Sequence, residues 1–481
     1  MKITLVQLPT LALKLEGYGQ GNISLNNVYN RVMPVSLPRV ASVIKNGLGA
    51  DADVQIEDLR RADPQREEQY KEIDWEGYKI NAYRVGAAFD SIEDTIRTSD
   101  WIGISSHFTF ESGIVGDFIK YAKKVNPKIK VMVGGADARA QPEKYIGFGT
   151  DLVFTEDVDS SEIKSGSLEA RIVGPSRKAF RELINPDFAS LGDLSPYVDG
   201  HDGPVPKGVN SPIGFPYFTR GCARECGFCE IRQSRYETLS LEDSVRLLEN
   251  YHKTGIRTLN IIDDNLLLQS SNPQGRQKLI NLFRKMNGMG FAWEFPNGLE
   301  VGLFEKGGKI DQELIDVLFY NSRDVHGNIT GAYRLYFPIE TFDDRSQYKK
   351  LKATSIQNQI IGAIARKGMA EMSFGVIIPP EADEATFAAI EQGYAQVRSI
   401  LEQGSKGRTK ARYGIFHLIP IASYRAMQTK YNDPELWNFY TPPYDGKNFS
   451  AGELFRRRMD ITQRLDPVNY NSMMMGSYGY G

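Results

Sequence analysis

The chain has 481 residues, and its 58 lysines and arginines nearly balance its 60 aspartates and glutamates, for a net charge of −2. This length predicts two or three domains, and the balanced charge argues against a general nucleic-acid-binding surface. No run of about 18 apolar residues occurs and the N-terminus lacks a signal-peptide pattern, so we expect no membrane span. Three cysteines cannot form a full set of disulfides, which favours a cytoplasmic, reducing compartment.

The first part of the chain alternates between short apolar segments and segments with helical periodicity. Such alternation predicts an α/β domain with a doubly wound parallel sheet, whose ligands bind beyond the carboxyl ends of the strands. We expect residues 1–160 to form this Rossmann-like domain. The predicted strands cover 2–8, 53–59, 101–108, 129–135 and 151–155, and the predicted helices include 37–48 and 113–127.

Three further regions follow. Residues 161–212 are rich in proline, glycine and aspartate, which predicts a linker. Residues 213–430 contain about six strand–helix repeats, which predict a partial (β/α)6 barrel of the TIM type. Residues 431–481 are expected to form a small C-terminal cap of helices and loops. The predicted barrel strands cover 215–221, 256–265, 291–298, 333–341, 370–380 and 412–421.

The segment GCARECGFCEIRQ (221–233) holds every cysteine of the chain, Cys222, Cys226 and Cys229. It follows the first predicted barrel strand, where functional residues of barrels lie. Soft thiolates at this spacing select zinc or an iron–sulfur cluster. A [4Fe–4S] cluster held by three cysteines leaves one iron open for another ligand, whereas structural zinc needs a fourth protein ligand. The candidates for that zinc ligand are His252, His326 and His417.

The cysteine loop resembles the signature of the radical SAM superfamily, including Phe228 before the last cysteine and a strand directly upstream. The resemblance implies that Cys222, Cys226 and Cys229 bind a [4Fe–4S] cluster whose open iron chelates S-adenosylmethionine (SAM). One electron from such a cluster cleaves SAM and yields a 5′-deoxyadenosyl radical. A flavodoxin- or ferredoxin-type electron donor is therefore implied as a partner.

Other segments resemble the branch of this superfamily that has an N-terminal cobalamin-binding domain. NIIDDNLL (260–267), FPIETFDDRSQYKKLKA (337–353) and FGVIIPPEADEATF (374–387) are similar to its second-, fourth- and fifth-strand motifs, the fourth with Lys352 after the glutamate. An alternative for each acid is a strand-end cap or a loop ion pair. The resemblance implies these candidates for binding SAM: Phe228, Asp263, Asn265, Glu340 and Ile378.

The first domain resembles the cobalamin-binding domain of that branch. Ser105, Gly134 and Gly135 lie at predicted strand ends, where they would hold the nucleotide tail of cobalamin, although a tight strand-to-helix turn is the alternative for the two glycines. The Asp-x-His-x-x-Gly element that supplies a cobalt ligand in many cobalamin proteins is absent. The corresponding early loop, LPTLALKLEGYGQGN, contains no histidine. His107, at a strand end, is a candidate either to face the corrin or to occupy a polar niche.

These resemblances imply a cobalamin-dependent radical SAM methyltransferase that acts on an unactivated carbon of a small-molecule natural product or a peptide. A first alternative is radical chemistry without methylation, such as cyclisation, ring rearrangement, epimerisation or peptide modification. A second alternative is a non-catalytic metal-binding sensor. A methylthiolating enzyme of similar layout would carry a second cysteine triplet in its first domain, which this chain lacks.

Overall fold

The computed structural model describes the chain in two compact units. The first comprises Met1–Tyr197 and Tyr431–Asn438, and the second Val198–Lys430 and Phe439–Gly481. Both contain parallel strands and helices, so the predicted α/β class is confirmed. The described residues are 1–18, 21–26, 28–156, 163, 171–173, 184–201, 203–229, 231, 234–348, 354–419 and 429–474.

A parallel sheet of six strands organises the first unit, in the order β10–β9–β8–β7–β1–β4. Every neighbouring pair in it is parallel, as the alternating sequence predicts. The strands of this unit are β1 (Lys2–Gln7), β2 (Thr10–Tyr18), β3 (Gly21–Ser24), β4 (Asp53–Asp58), β5 (Glu67–Trp75), β6 (Tyr78–Val85), β7 (Trp101–Ser105), β8 (Lys130–Gly134), β9 (Leu152–Phe154) and β10 (Arg171–Val173).

A second sheet in the same unit, in the order β3–β2–β6–β5, is antiparallel throughout. The expectation of an early loop directly after β1 is wrong, because β2 begins there and runs for nine residues. Leu11, Leu13 and Leu15 are buried at alternate positions of β2, which is the period-two pattern of a strand. The segment that often carries a cobalt ligand in cobalamin proteins is therefore sheet in this chain.

Helix α1 contributes to the apolar core of the first unit. It begins at Leu37 with a proline in its first turn and ends before Gly49, whose φ of 62° favours glycine. Its buried residues Ala41 and Ile44 pack with strand residues such as Ile3 in one apolar cluster. The helices of this unit are α1 (Leu37–Leu48), α2 (Leu59–Ala62), α3 (Glu93–Thr98), α4 (Ser112–Val125), α5 (Ala136–Ala140) and α6 (Pro142–Gly147).

Six parallel strands organise the second unit, in the order β13–β16–β17–β21–β22–β23, and β20 pairs antiparallel with β21. These six strands agree with the predicted partial barrel. The strands are β11 (Asp199–Gly200), β12 (Gly203–Pro204), β13 (Ile213–Gly214), β14 (Thr219–Arg220), β15 (Glu237–Thr238), β16 (Thr258–Asn260), β17 (Ala292–Phe295), β18 (Glu305–Lys306), β19 (Lys309–Ile310), β20 (Asn321–Arg323), β21 (Ile329–Glu340), β22 (Glu371–Ile378) and β23 (Lys410–His417).

The first barrel strand differs from its prediction at 215–221. The parallel strand β13 covers only two residues, and the chain then leaves the sheet so that β14 pairs antiparallel with β15. The helices described in this unit lie between strands or after β23. They are α7 (Leu241–Lys253), α8 (Pro273–Gly288), α9 (Gln312–Leu318), α10 (Thr354–Ala365), α11 (Glu384–Ser405), α12 (Ala451–Leu465) and α13 (Pro467–Met474).

Four charged side chains form a continuous ion-pair network across the barrel strands. Arg334 on β21 lies 3.1 Å from Glu294 on β17 and 3.0 Å from Glu371 on β22. Arg412 on β23 lies 2.7 Å from the second oxygen of Glu371. The side chains of Arg334, Glu294 and Glu371 are at most 5% exposed, so their charges depend on one another for compensation.

The predicted linker at 161–212 divides between the two units. Asp187 N donates to Pro38 O over 2.8 Å, and the Tyr197 hydroxyl donates to Asp58 over 2.9 Å, which ties the segment before residue 198 to the first unit. Pro204 O accepts from Arg334 over 2.8 Å, which ties the β11–β12 hairpin to the barrel. In the described residues, no helix combines the length and apolar character that a membrane span requires.

Candidate functional site

The cysteine loop starts directly after β14, at Gly221. This glycine has a φ of 76°, and a Cβ there would lie 2.0 Å from Arg235 O, so only glycine fits. Gly221 N donates to Asp264 over 2.7 Å, and Cys222 N donates to the Ser234 hydroxyl over 2.9 Å. These bonds fix the first turn of the loop. All three cysteines are partly exposed, as a site for an added group requires.

Asp263 is buried beneath this loop, immediately before Asp264. Its carboxylate accepts from the backbone N–H groups of Phe218 and Thr219 and from the Thr219 hydroxyl, the last over 2.7 Å. These contacts match the strand-end role that the sequence analysis kept as an alternative to binding SAM. Burial raises the pKa of Asp263 to about 7, and Asp264 also raises it, against the lowering effect of the hydrogen bonds.

We expect the Asp263→Asn variant to lose part of the pH dependence of folding stability. An ordinary aspartate in the unfolded chain loses its proton near pH 4, whereas Asp263 keeps its proton in the folded state up to about pH 7. The folded wild type therefore binds more protons between these values, so its stability falls as pH rises, by up to about 1.4 kcal/mol per pH unit. Melting temperatures of both proteins from pH 4 to 8 measure this, and parallel curves would contradict it.

Asn265 directly follows Asp263 and Asp264, and its side chain contacts the cysteine loop. Its Nδ2 lies 3.4 Å from Cys222 Sγ and 2.8 Å from Glu300 Oε2. Glu300 also pairs with Arg224, at 2.6 Å between Nη2 and Oε1. Neither Arg224 nor Glu300 was predicted as a site residue, although Arg224 lies inside the cysteine loop.

Asn265 also has an unsatisfied atom. The residue is 8% exposed, and its side-chain Oδ1 has no hydrogen-bond partner in the described part of the chain. The opposite orientation of the amide would set Oδ1 against the Glu300 carboxylate, which also accepts, so the observed orientation is the favourable one. A buried acceptor without a partner costs free energy, and a ligand with an N–H or ammonium group would satisfy it.

The remaining candidates for binding SAM lie on three separate elements. The rings of Phe228 and Tyr348 meet edge to face at 5.6 Å. Glu340, at the end of β21, is 6% exposed and has a φ of 66°, a conformation that non-glycine residues seldom adopt. Ile378 is fully buried at the end of β22. Lys352 lies outside the described residues.

In the first unit, the candidate residues at the ends of β7 and β8 lie side by side. Ser105 pairs in register with Gly134, and Ser106 N donates to Gly134 O over 2.8 Å. Gly135 has a φ of 109°, and a Cβ there would lie 2.3 Å from Ser106 O. This close approach needs glycine, and it leaves Ser105 and both glycines together at the carboxyl edge of the sheet, where such folds bind ligands.

A buried polar network supports this edge and was missed by sequence reasoning. Asp137, which is 3% exposed, accepts from the Tyr145 hydroxyl and from the Thr109 hydroxyl, the latter over 2.5 Å. Ser106 and Tyr145 share a hydrogen bond of 2.6 Å between their hydroxyls. Burial, together with Asp137, raises the pKa of Tyr145 far above its ordinary value, so Tyr145 stays protonated. His107 is exposed beside this edge, with its ring 4.7 Å from that of Phe108.

The donor set of the cysteine loop fits an iron–sulfur cluster. In the described residues, no three Cys, His, Asp or Glu side chains converge on a point where they would hold a single metal ion. A [4Fe–4S] cluster binds one thiolate at each iron, so its cysteines do not need to share one ion. The amide N–H that Asn265 directs at Cys222 Sγ is also the kind of contact that cluster sulfurs receive.

A known sequence family matches part of the first unit. The sequence pattern of the B12 binding domain family matches residues 35–163. This part of the chain is a B12-binding domain. It includes Ser105, Gly134 and Gly135, and it begins after β2 and β3.

Most of the chain resembles cobalamin-dependent radical SAM enzymes in fold. The enzyme OxsB, solved with aqua-cobalamin and SAM, superposes with a TM-score of 0.56 at 13% identity, over 88% of this chain and 60% of OxsB. The methyltransferase TsrM from Kitasatospora setae, solved with cobalamin and a [4Fe-4S] cluster, gives 0.55 at 12% identity, over 95% of this chain and 81% of TsrM. The predicted resemblance to this branch is confirmed at the level of fold.

A curated relative is similar in sequence over about half of the chain. Cytidylyl-2-hydroxyethylphosphonate methyltransferase from Streptomyces wedmorensis is 25% identical over 309 residues, which is 54% of this chain. The chain spans about half of that relative, since the alignment covers 53% of its length.

Proposed function

We propose that the chain is a cobalamin-dependent radical SAM methyltransferase. The observation that carries the proposal is the presence, in one chain, of a B12-binding domain and a cysteine triplet directly after the first strands of a six-stranded parallel barrel. Such a combination serves two cofactors, and the cofactors carry the hard chemistry while the protein positions them. Bound together, cobalamin would supply a methyl group, and the cluster with SAM would supply the radical that opens a carbon–hydrogen bond.

Within the barrel, Cys222, Cys226 and Cys229 would hold the [4Fe–4S] cluster, with SAM at the open iron. The partnerless Oδ1 of Asn265 supports a role in accepting a hydrogen bond from the SAM ammonium group, next to Cys222. The strained backbone and burial of Glu340 support a role in binding the same ligand. Asp263 would contribute mainly by anchoring the start of the loop, since the hydrogen bonds of its carboxylate go to β14 and the residue before it.

Within the B12-binding domain, Ser105, Gly134 and Gly135 would line the site of the nucleotide tail. The close approach of Gly135 to Ser106 O supports this role, because a larger residue would fill the space at the carboxyl edge. The strand β2 occupies the position of the early loop and contains no histidine. The cobalt would therefore receive no histidine ligand from that segment.

The substrate class follows by analogy with the curated relative, which is named for methyl transfer to a cytidylylated phosphonate. We propose a small molecule or a peptide as substrate, methylated at an unactivated carbon. A flavodoxin- or ferredoxin-type protein would supply the electron. We propose the reducing cytoplasm as the compartment, because a cluster held by partly exposed cysteines needs one.

A reconstitution experiment tests this proposal. The protein is expressed with cobalamin, purified without oxygen and analysed for iron, sulfide and corrinoid. It is then incubated with reductant and SAM that carries a deuterated methyl group. We expect about four irons and one corrinoid per chain, 5′-deoxyadenosine as a product, and transfer of the labelled methyl group to cobalamin. Deoxyadenosine without corrinoid would favour radical chemistry without methylation, and one zinc without iron would favour the sensor.

We expect the Gly135→Ala variant to weaken cobalamin binding by about five- to 150-fold. The added Cβ would lie 2.3 Å from Ser106 O at a positive φ, and such strain costs about 1–3 kcal/mol. Retention of corrinoid after gel filtration, and titration with hydroxocobalamin, measure the effect. Gly147→Ala is the matched control, because no atom lies within 4 Å of its added Cβ. Equal affinities in the two variants would contradict the prediction.

A further inference from the structure

If the proposed function holds, the contact between Asn265 and Cys222 bears on the properties of the cluster as well as on the binding of SAM. The amide of Asn265 has two N–H groups, and Nδ2 reaches both Cys222 Sγ, at 3.4 Å, and Glu300 Oε2, at 2.8 Å. The backbone oxygen of Asn265 accepts from the Tyr236 hydroxyl over 3.1 Å. Main chain and side chain are therefore both held, and one N–H is directed at a cysteine sulfur.

Glu300, the second acceptor of this amide, is itself held by Arg224. Arg224 Nε lies 3.1 Å from Glu300 Oε2, and Nη2 lies 2.6 Å from Oε1, which is a two-pronged ion pair of high geometric specificity. Arg224 lies between Cys222 and Cys226 in sequence. The contacts from Arg224 to Glu300 and from Glu300 to Asn265 therefore link the cysteine loop to the amide that donates to Cys222.

We propose that Asn265 sets the reduction potential of the cluster through its N–H bond to the Cys222 sulfur, and that Arg224 and Glu300 are positioning residues for this bond. The potential of an iron–sulfur cluster depends on net charge, hydrogen bonds to sulfur and solvent exposure. Reduction adds one electron, and the added negative charge strengthens a hydrogen bond donated to the cysteine sulfur. The bond therefore favours the reduced state, and the paired charges of Arg224 and Glu300 hold the amide with no added net charge.

The test is a redox titration of the reconstituted cluster, followed by electron paramagnetic resonance in the absence of SAM. Asn265→Leu has a similar volume and lacks the donor. At a fixed potential set by dithionite and mediators, we expect its ratio of reduced to oxidised cluster to be about tenfold below wild type, which corresponds to a midpoint about 59 mV more negative. Arg224→Ala leaves Glu300 uncompensated near the loop, so its midpoint should also move to a more negative value.

The matched control is Arg284→Ala, which removes an exposed arginine that pairs with Glu313 at 3.1 Å on the outside of the barrel. Its midpoint should equal that of the wild type. Wild-type midpoints in both Asn265→Leu and Arg224→Ala, with full iron content, would overturn this inference and leave the proposed function intact. If Asn265→Leu takes up no iron, an unchanged midpoint in Arg224→Ala is sufficient to overturn it. A wild-type protein that forms no cluster would refute the proposed function itself.

Discussion

The Cys226→Ala variant is expected to lose its iron–sulfur cluster and, with it, all cleavage of SAM. Three thiolates within one eight-residue stretch are the only cysteines in the sequence, so no spare thiol is available to replace the missing ligand. The open iron that would bind SAM depends on the other three irons keeping their cysteines. We therefore expect iron and sulfide to fall to background and 5′-deoxyadenosine to become undetectable, as measured after anaerobic reconstitution.

The matched control for this variant is Glu225→Ala. Glu225 is exposed and lies next to Cys226 in the loop, and its loss removes no thiolate. This control should retain wild-type iron and sulfide. A Cys226→Ala protein that kept about four irons and still released 5′-deoxyadenosine would refute the assignment of the cysteine loop as the cluster site.

The second large effect is expected at Arg334, inside the barrel. Arg334→Met removes the partner of both Glu294 and Glu371, whose side chains are 0% and 5% exposed. Breaking a buried ion pair from one side leaves an uncompensated charge, and this typically costs about 3–5 kcal/mol. The free energy of unfolding of the second unit, measured by urea denaturation, should fall by this amount. Arg412 remains on Glu371, so Glu294 suffers the larger loss.

A double variant separates lost charge compensation from lost packing. Adding Glu294→Gln to Arg334→Met removes one stranded charge, and it should recover a substantial part of the stability. Arg284→Ala serves again as a control, because exposed ion pairs contribute about 0–1 kcal/mol. A loss at Arg334 no larger than that at Arg284, or no recovery in the double variant, would show that the buried network does not require charge balance.

The buried polar side chains near the candidate residues differ between the two units of the proposed enzyme. In the B12-binding domain, the buried Asp137 accepts hydrogen bonds from the Tyr145 and Thr109 hydroxyls beneath the carboxyl edge of the sheet, and it pairs with the partly exposed Lys144 at 3.4 Å. In the barrel, full charges of both signs are buried and paired. Both arrangements pair buried polar side chains with one another, and both lie on elements whose ends carry the candidate residues.

Much of the architecture was determined by the sequence itself, because the relevant patterns are local. Alternation of apolar strands and amphipathic helices requires parallel strands with crossover connections, so α1 and both parallel sheets could be predicted. The cysteine triplet is a contiguous motif, and its position after a strand could be read directly. The position of glycines such as Gly135 at strand ends could be predicted for the same reason.

The tertiary structure decided what depends on distant partners. The antiparallel sheet joins β2 with β6, which lies far along the chain, and Lys71 of β5 pairs with Asp433 and Glu435, at 2.7 and 2.9 Å, so residues 431–438 belong to the first unit. Asn265 reaches Cys222 across 43 residues of sequence. Local periodicity shows which face of an element is buried, but many segments could cover that face. The choice among them, and the burial that raises the pKa of Asp263, come only from packing the whole chain.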